Sequence, residues 1–230
     1  MKQSKTGCAL TNCLFCAFSQ EAWLPVLNAN RQVQVYAKGE TIFTEGTPVT
    51  GVYFIDDGLV KIHQSWPSQK QLILNFAGRG DMIGYRALGQ DPMFPVTATT
   101  LAKTAVCFVD LPFFELALET NPRLTYQLMK FYANALQKAE KRMRNLALMD
   151  VKGRVADTLL MLDRRFGRDE NGYIDVLLTR QDMAAYAGTT YETFFRMLAE
   201  LKTGRLVAEE KKKIAILDEN RLQSLLHVVS

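Results

Sequence analysis

The stretch from Thr179 to Val207, TRQDMAAYAGTTYETFFRMLAELKTGRLV, constrains the fold most, because it reads as two short helices joined by a glycine turn. Thr179 is placed to cap the first helix, with Asp182 three residues on. Gly188 breaks the helical pattern, and Thr189 with Glu192 predicts a second capping box that starts a helix near Thr190. In that second helix Phe194, Met197, Leu198 and Leu201 recur at helical spacing and are expected to pack inward. Tyr191, Glu192, Phe195 and Arg196 must then point outward.

A Glu and an Arg one turn apart near a helix N-terminus suit the major groove of DNA, where Arg can donate to guanine O6 and N7 and Glu can accept from cytosine N4. The same two residues also read as an ordinary solvated i,i+4 pair, and two-helix turns occur outside DNA-binding proteins. After Gly204, RLVAEEKKKIAIL predicts two short strands, Leu206 to Ala208 and Ile214 to Leu217, around a charged turn. This is the pattern of a hairpin wing, with Lys211, Lys212 and Lys213 near a phosphate backbone; a lysine run is equally a solvated turn.

Bulk charge does not choose between these readings. The net charge is only +4, and acidic and basic residues nearly balance from Val151 onward, so any basic footprint must be local. With 230 residues, 48% hydrophobic and 23% charged, the chain has room for one large or two smaller globular domains. No apolar run approaches the roughly 18 residues of a membrane span, and MKQSKTGCALTNC lacks a signal-peptide core, so a cytoplasmic protein with no membrane partner is expected. In that reducing compartment the four cysteines are expected to be thiols or metal ligands rather than disulfides. The only histidines are His63 and His227, and no phosphate-binding glycine loop precedes a helix, so an enzyme is not expected.

Residues 1–18 form a cysteine-bearing leader, and Gln20 to Asn28 predicts a small helix carrying Leu24 and Leu27. From Val33 to Asp110, runs such as VQVY, TIF, GVYFI, LVKIHQ, QLILNF, VTATT and TAVCFV alternate with glycine turns, which predicts an antiparallel barrel or roll. From Asn121 to about Asp150 there is no glycine, and no proline after Pro122, which fits one long helix. It carries two apolar stripes, Leu124, Leu128, Phe131 and Ala135, then Tyr132, Leu136, Ala139, Met143 and Leu146. One stripe is expected to pack on the roll and the other to meet a partner helix in a homodimer, or else to be buried between the chain's own domains. Asp150 is placed to cap the next helix, which runs to Phe166, and residues 173–176 read as a short strand. The expected division is 1–120 for leader and roll, 121–150 for the long helix and 151–230 for the winged part.

This order of parts resembles the CRP/FNR family of bacterial transcription regulators. The segments that carry the resemblance are KGETIFTEG (38–46), VYFIDDGLVKI (52–62), GRGDMIG (78–84), LAKTAVCFV (101–109), LALMDVKGRVADTLL (146–160) and TRQDMAAYAGTTYETFFRML (179–198). It implies an α+β chain with an N-terminal antiparallel β-roll of the cyclic-nucleotide-binding type, a dimerisation helix and a C-terminal winged helix-turn-helix. It also implies a homodimer on a palindromic operator, with RNA polymerase as a further partner. The family's base-reading Glu and Arg fall on Glu192 and Arg196, and its phosphate contacts on Thr179, Arg180 and Thr190. Tyr191 and Phe195 depart from residues found in well-known members, so the outer base preference does not carry over.

The sensor region departs further. Tyr85 follows Gly84 where the cyclic-nucleotide branch has a ribose-holding Glu, and Val96 and Thr97 stand where it has Arg and Ser. A buried cyclic phosphate without a countercharge is strongly penalised, and Arg86 is the only nearby cation, so cAMP is not expected. Cys8, Cys13 and Cys16 lie in the leader, and Cys107 falls where the oxygen-sensing branch places its fourth cluster ligand. Four thiolates could hold a 4Fe-4S cluster, although the C-x4-C-x2-C spacing differs from that branch. A zinc site and plain thiols are the alternatives, as is a sensor or interaction module that does not read DNA.

Overall fold

The computed structural model describes residues 13–19, 21–66, 71–89 and 91–227, which form two compact units, one of residues up to 66 with 74–136, the other of residues 71–73 with 137 onward. The first opens with α1 (Leu14–Phe18), a 3-10 turn (Glu21–Trp23) and α2 (Leu24–Asn30). There follow β1 (Arg31–Tyr36), β2 (Thr41–Phe43), β3 (Gly51–Asp57), β4 (Leu59–Ser65), β5 (Gln71–Gly78), β6 (Met82–Ile83), β7 (Thr97–Thr100) and β8 (Thr104–Asp110). They build two four-stranded sheets, ordered β1-β8-β3-β6 and β2-β7-β4-β5. Helices α3 (Leu111–Thr120) and α4 (Pro122–Leu148) close the unit.

Strand alternation sets two cores. Along β3, Tyr53 and Ile55 join a cluster between the sheets with Phe43, Val60, Ile62, Phe94, Val96 and Val106. Val52 and Phe54 face the other way, into a cluster with Val109, Phe113, Phe114, Leu124 and Leu128. A strand buried on both faces reads as a continuous apolar run, which is why GVYFI shows no polar alternation. The predicted roll and long helix are thus observed; the helix after the leader begins as a 3-10 turn at Glu21 and extends to Asn30.

The second unit contains α5 (Val151–Phe166), α6 (Arg180–Ala187), α7 (Tyr191–Thr203), β9 (Val207–Glu210), β10 (Lys213–Ile216), α8 (Glu219–Ser224) and a final 3-10 turn (Leu225–His227). Asp150 caps α5, accepting from the Gly153 amide at 2.6 Å. Val155, Leu159, Leu162, Met183, Phe194, Leu198, Leu201 and Ile214 are buried there. Fully burying each large apolar side chain contributes about 1.5–3 kcal/mol.

Residues 173–176 do not form the expected strand. Asp169 draws the segment into a turn by accepting the amides of Asn171 and Tyr173 on its side chain, each at 3.0 Å. Only Ile174 then reaches β10, through one bond to the Ile214 carbonyl at 2.9 Å. The wing strands also sit later and earlier than expected: Glu210 pairs with Lys213, leaving Lys211 and Lys212 as the turn. Lys211 takes a left-handed φ of 55° to make it. No helix among the described residues is long and apolar enough to cross a membrane.

Candidate nucleic-acid interface

Thr179 is the N-cap of α6: its hydroxyl accepts the Asp182 amide at 3.0 Å and donates to the Asp182 carboxylate at 2.6 Å. The helix ends at Gly188, whose left-handed φ of 64° turns the chain. The positive φ favours glycine, and a Cβ at that position would stand 2.6 Å from Leu146 Cδ2, so Leu146 would have to shift. The next cap differs from the sequence expectation. Thr190, not Thr189, caps α7, accepting the Thr193 amide at 3.3 Å and donating to the Thr193 hydroxyl at 3.1 Å. Glu192, one residue earlier than the position a capping box needs, is left on the outer face.

The turn between α6 and α7 is fastened from α5. Arg154 donates from Nε to the Ala187 carbonyl at 3.0 Å and from Nη1 to the Met149 carbonyl at 2.8 Å. Two helix C-termini therefore share one guanidinium, a charge placed to suit both helix dipoles. On α7, Phe194, Leu198 and Leu201 are buried and Met197 is half-buried. Tyr191, Glu192, Phe195 and Arg196 are all exposed, as their spacing predicts. Among the described residues no ion pair joins Glu192 and Arg196, and both side chains lie on the exposed face. The Tyr191 and Phe195 rings lie 6.3 Å apart and near-parallel, 42% and 54% exposed. The outer face of α7 is thus a cation and an anion beside an aromatic pair.

The cations nearby are not equally available. Arg180, expected at phosphate, is turned into the wing, where Nη2 and Nε meet Oε1 of Glu209 at 2.5 and 3.2 Å. Lys202 of α7 meets the other oxygen of Glu209 at 2.7 Å. Burial acts to raise the Glu209 carboxyl, but hydrogen bonds from Lys202 and Arg180 outweigh it and hold it below the ordinary carboxylate range. Lys213 pairs with Asp169 at 2.5 Å, whereas Lys211 and Lys212 are exposed at the wing tip. The Arg180 pairing joins residues 29 apart. No local pattern in the sequence announces it.

Helix α4 buries Leu124 and Leu128 against the roll and leaves Met129, Leu136 and Met143 59%, 61% and 68% exposed. These three recur every seven residues, and with Tyr132, Ala139 and Leu146 they have the a/d spacing of a heptad seam. Met129 belongs to that seam and was missed; its sevenfold spacing to Leu136 was the available signal.

The sensor residues fall in different places. Gly84 is buried with φ +84°, and a Cβ there would meet the Gly51 carbonyl at 3.3 Å. Tyr85 packs with the helix-side cluster, its ring 4.8 Å from Phe131 and 5.8 Å from Tyr132. Val96 belongs instead to the cluster between the sheets, near Phe43 and Phe94, whose rings stack at 4.2 Å. Thr97 accepts the Glu45 amide at 3.0 Å, and exposed Arg86 lies 5.9 Å from the Tyr85 ring. Val96, at the position where the family resemblance puts a phosphate-binding Arg, is an apolar side chain buried in the cluster between the sheets.

Cys13, Cys16 and Cys107 all border the helix-side cluster, while Cys8 lies outside the described residues. The leader is anchored by Phe15, 2% exposed, with its ring 5.5 Å from both Phe54 and Phe114; Leu14 and Phe18 pack beside it. Among the described residues no three His, Cys, Asp or Glu side chains are grouped to hold a metal. Cys13 and Cys107 are buried in the helix-side cluster, and Cys16 packs against it.

A β-roll joined through a long helix to a winged helix-turn-helix defines a regulator with a DNA-binding domain. Two family models match in the same order, a cyclic nucleotide-binding domain over residues 33–121 and a Crp-like helix-turn-helix domain over residues 153–225. The CRP-like cAMP-activated global transcriptional regulator of Mycobacterium tuberculosis is 30% identical over 189 residues, covering 81% of this chain and 84% of the relative. The anaerobic regulatory protein of Bacillus subtilis is also 30% identical, covering 76% of this chain and 75% of its own. The structure of FixK2 from Bradyrhizobium japonicum superposes with a TM-score of 0.77 at 27% identity, covering 87% of this chain and 99% of that one. The chain belongs to the CRP/FNR family of transcription regulators, and these relatives are regulators rather than enzymes.

Proposed function

We propose that the chain works as a cytoplasmic homodimer on a palindromic operator, with α7 in the major groove and the β-roll as sensor. The observation that carries this reading is the outer face of α7, where Glu192 and Arg196 stand unpaired beside Tyr191 and Phe195 while the opposite face is buried. Arg196 reads a guanine, Glu192 reads a cytosine, and the aromatic pair sets the outer base preference. Thr190 and Lys212 contact phosphate, and Thr179 orients α6 beside it. The heptad seam of α4 supports the dimer, since two half-sites one turn apart require two linked recognition helices. RNA polymerase is the partner that a regulator so bound would contact.

A gel shift with fragments of its own promoter region tests the reading: a palindrome is retained at concentrations where a single half-site and a scrambled site are not. Failure of every fragment to shift would favour an interaction module that does not read DNA.

For the signal, a cyclic nucleotide is disfavoured by buried Val96. A redox signal through Cys8, Cys13, Cys16 and Cys107 is a second reading, motivated by Cys13, Cys16 and Cys107 all lying at the same apolar cluster. Anaerobic reconstitution decides it: about four irons per chain, lost in Cys16→Ser, supports a 4Fe-4S cluster. Colourless protein in all four serine variants leaves the thiols as packing residues.

A further inference from the structure

Glu209 of β9 is gripped by cations from both helices of the helix-turn-helix. Both of its carboxylate oxygens are taken, Oε1 by Arg180 at the start of α6 and Oε2 by Lys202 in the last turn of α7. An arginine and a lysine converging from two helices of a helix-turn-helix on one anion form a donor set that suits a DNA phosphate. Arg180 and Glu209 are only 13% and 19% exposed, so their attraction is less screened by salt than that of a surface pair. The partners lie on separate elements, α6, α7 and β9, and the wing tip beyond them keeps Lys211 and Lys212 exposed.

We propose that Glu209 is an internal stand-in for a DNA phosphate, holding Arg180 and Lys202 until they exchange onto the backbone, and so lowering the charge-driven part of DNA affinity. The proposal rests on the DNA-binding reading above. The exchange costs the same on any sequence, because phosphates carry no base information. Glu209 therefore restrains capture by random DNA and operator alike, and leaves discrimination to the outer face of α7.

The test measures affinity of the full chain for a palindromic operator and for random duplex across a salt series. Glu209→Gln keeps the shape and removes the charge. It should tighten both complexes by the same factor, about three- to tenfold at low salt, and steepen the salt dependence by roughly one to two phosphate equivalents. Arg180→Gln, which leaves Glu209 intact, should flatten the slope by about one equivalent. Weaker binding in Glu209→Gln at an unchanged slope would make Glu209 a brace for the wing and overturn the proposal. Unchanged affinity and slope in both variants would also overturn it. If the unaltered protein binds no duplex at all, the DNA-binding reading fails first, and the two failures are told apart.

Discussion

The hydroxyl of Tyr132 donates to the backbone carbonyl of Tyr85 across 2.6 Å, tying the turn after β6 to the middle of the long helix. Tyr132 is also a position of the heptad seam, so one side chain touches both the sensor turn and the surface proposed to meet a second copy. Burial, then the neighbouring Tyr85, pushes its phenol up to about 12. The folded state thus keeps a proton that the unfolded chain releases near pH 10. Tyr132 contributes stability in full below about pH 10, and it is lost as pH rises toward 12. Tyr132→Phe should cost about 0.5–1.5 kcal/mol at neutral pH and shrink the fall in unfolding midpoint between pH 10 and 12, both read by denaturant titration.

Arg196→Ala should weaken binding to the operator by about 1–3 kcal/mol and relax preference at one base pair, as read by competition against site variants. Lys212→Ala should instead weaken all sequences alike and flatten the salt dependence. Equal losses for Arg196→Ala on operator and random duplex would remove it from base reading.

Leu136→Glu places a charge in the middle of the seam at a side chain that is exposed in the single chain, so folding should be little affected. Sedimentation should show a monomer, and tight binding to a palindrome should disappear. An unchanged dimer for both Leu136→Glu and Ala139→Glu would rule the seam out.

Phe15→Ala removes the ring that anchors the leader among Phe54, Phe113 and Phe114. A loss of about 3–5 kcal/mol is expected from the cavity left behind, measured by denaturant unfolding. Phe18→Ala, at a half-buried position, should cost clearly less.

Much of this architecture was legible because it rests on local rules. Strand length, glycine turns and the 3.6-residue period placed the roll, the long helix and the outward row of α7. The misses share a cause. Thr190 rather than Thr189 caps α7 because the choice depends on backbone geometry at the turn, which two adjacent threonines cannot signal. Residues 173–176 looked like a strand by composition, but the Asp169 carboxylate takes the Tyr173 amide, and Asp175 and Val176 donate locally to Gly167 and Ile174. Arg180 was expected at phosphate, and its partner Glu209 lies on a strand far along the chain. Long-range ion pairing leaves no periodic trace in a sequence.

Leu146 supplies the last residue of the seam, and it also forms the floor beneath Gly188, where any added Cβ would sit 2.6 Å from its methyl group. In a mutational scan such a residue answers to two selections at once. Substitutions elsewhere in the seam would separate variants that fail to pair from variants that fail to bind DNA, whereas a larger side chain at position 146 would press on the turn that aims α7. A genetic screen for repaired binding should therefore return compensating changes to Leu146 defects from both α4 and the α6–α7 turn, and least often at Gly188, whose left-handed backbone strains most side chains.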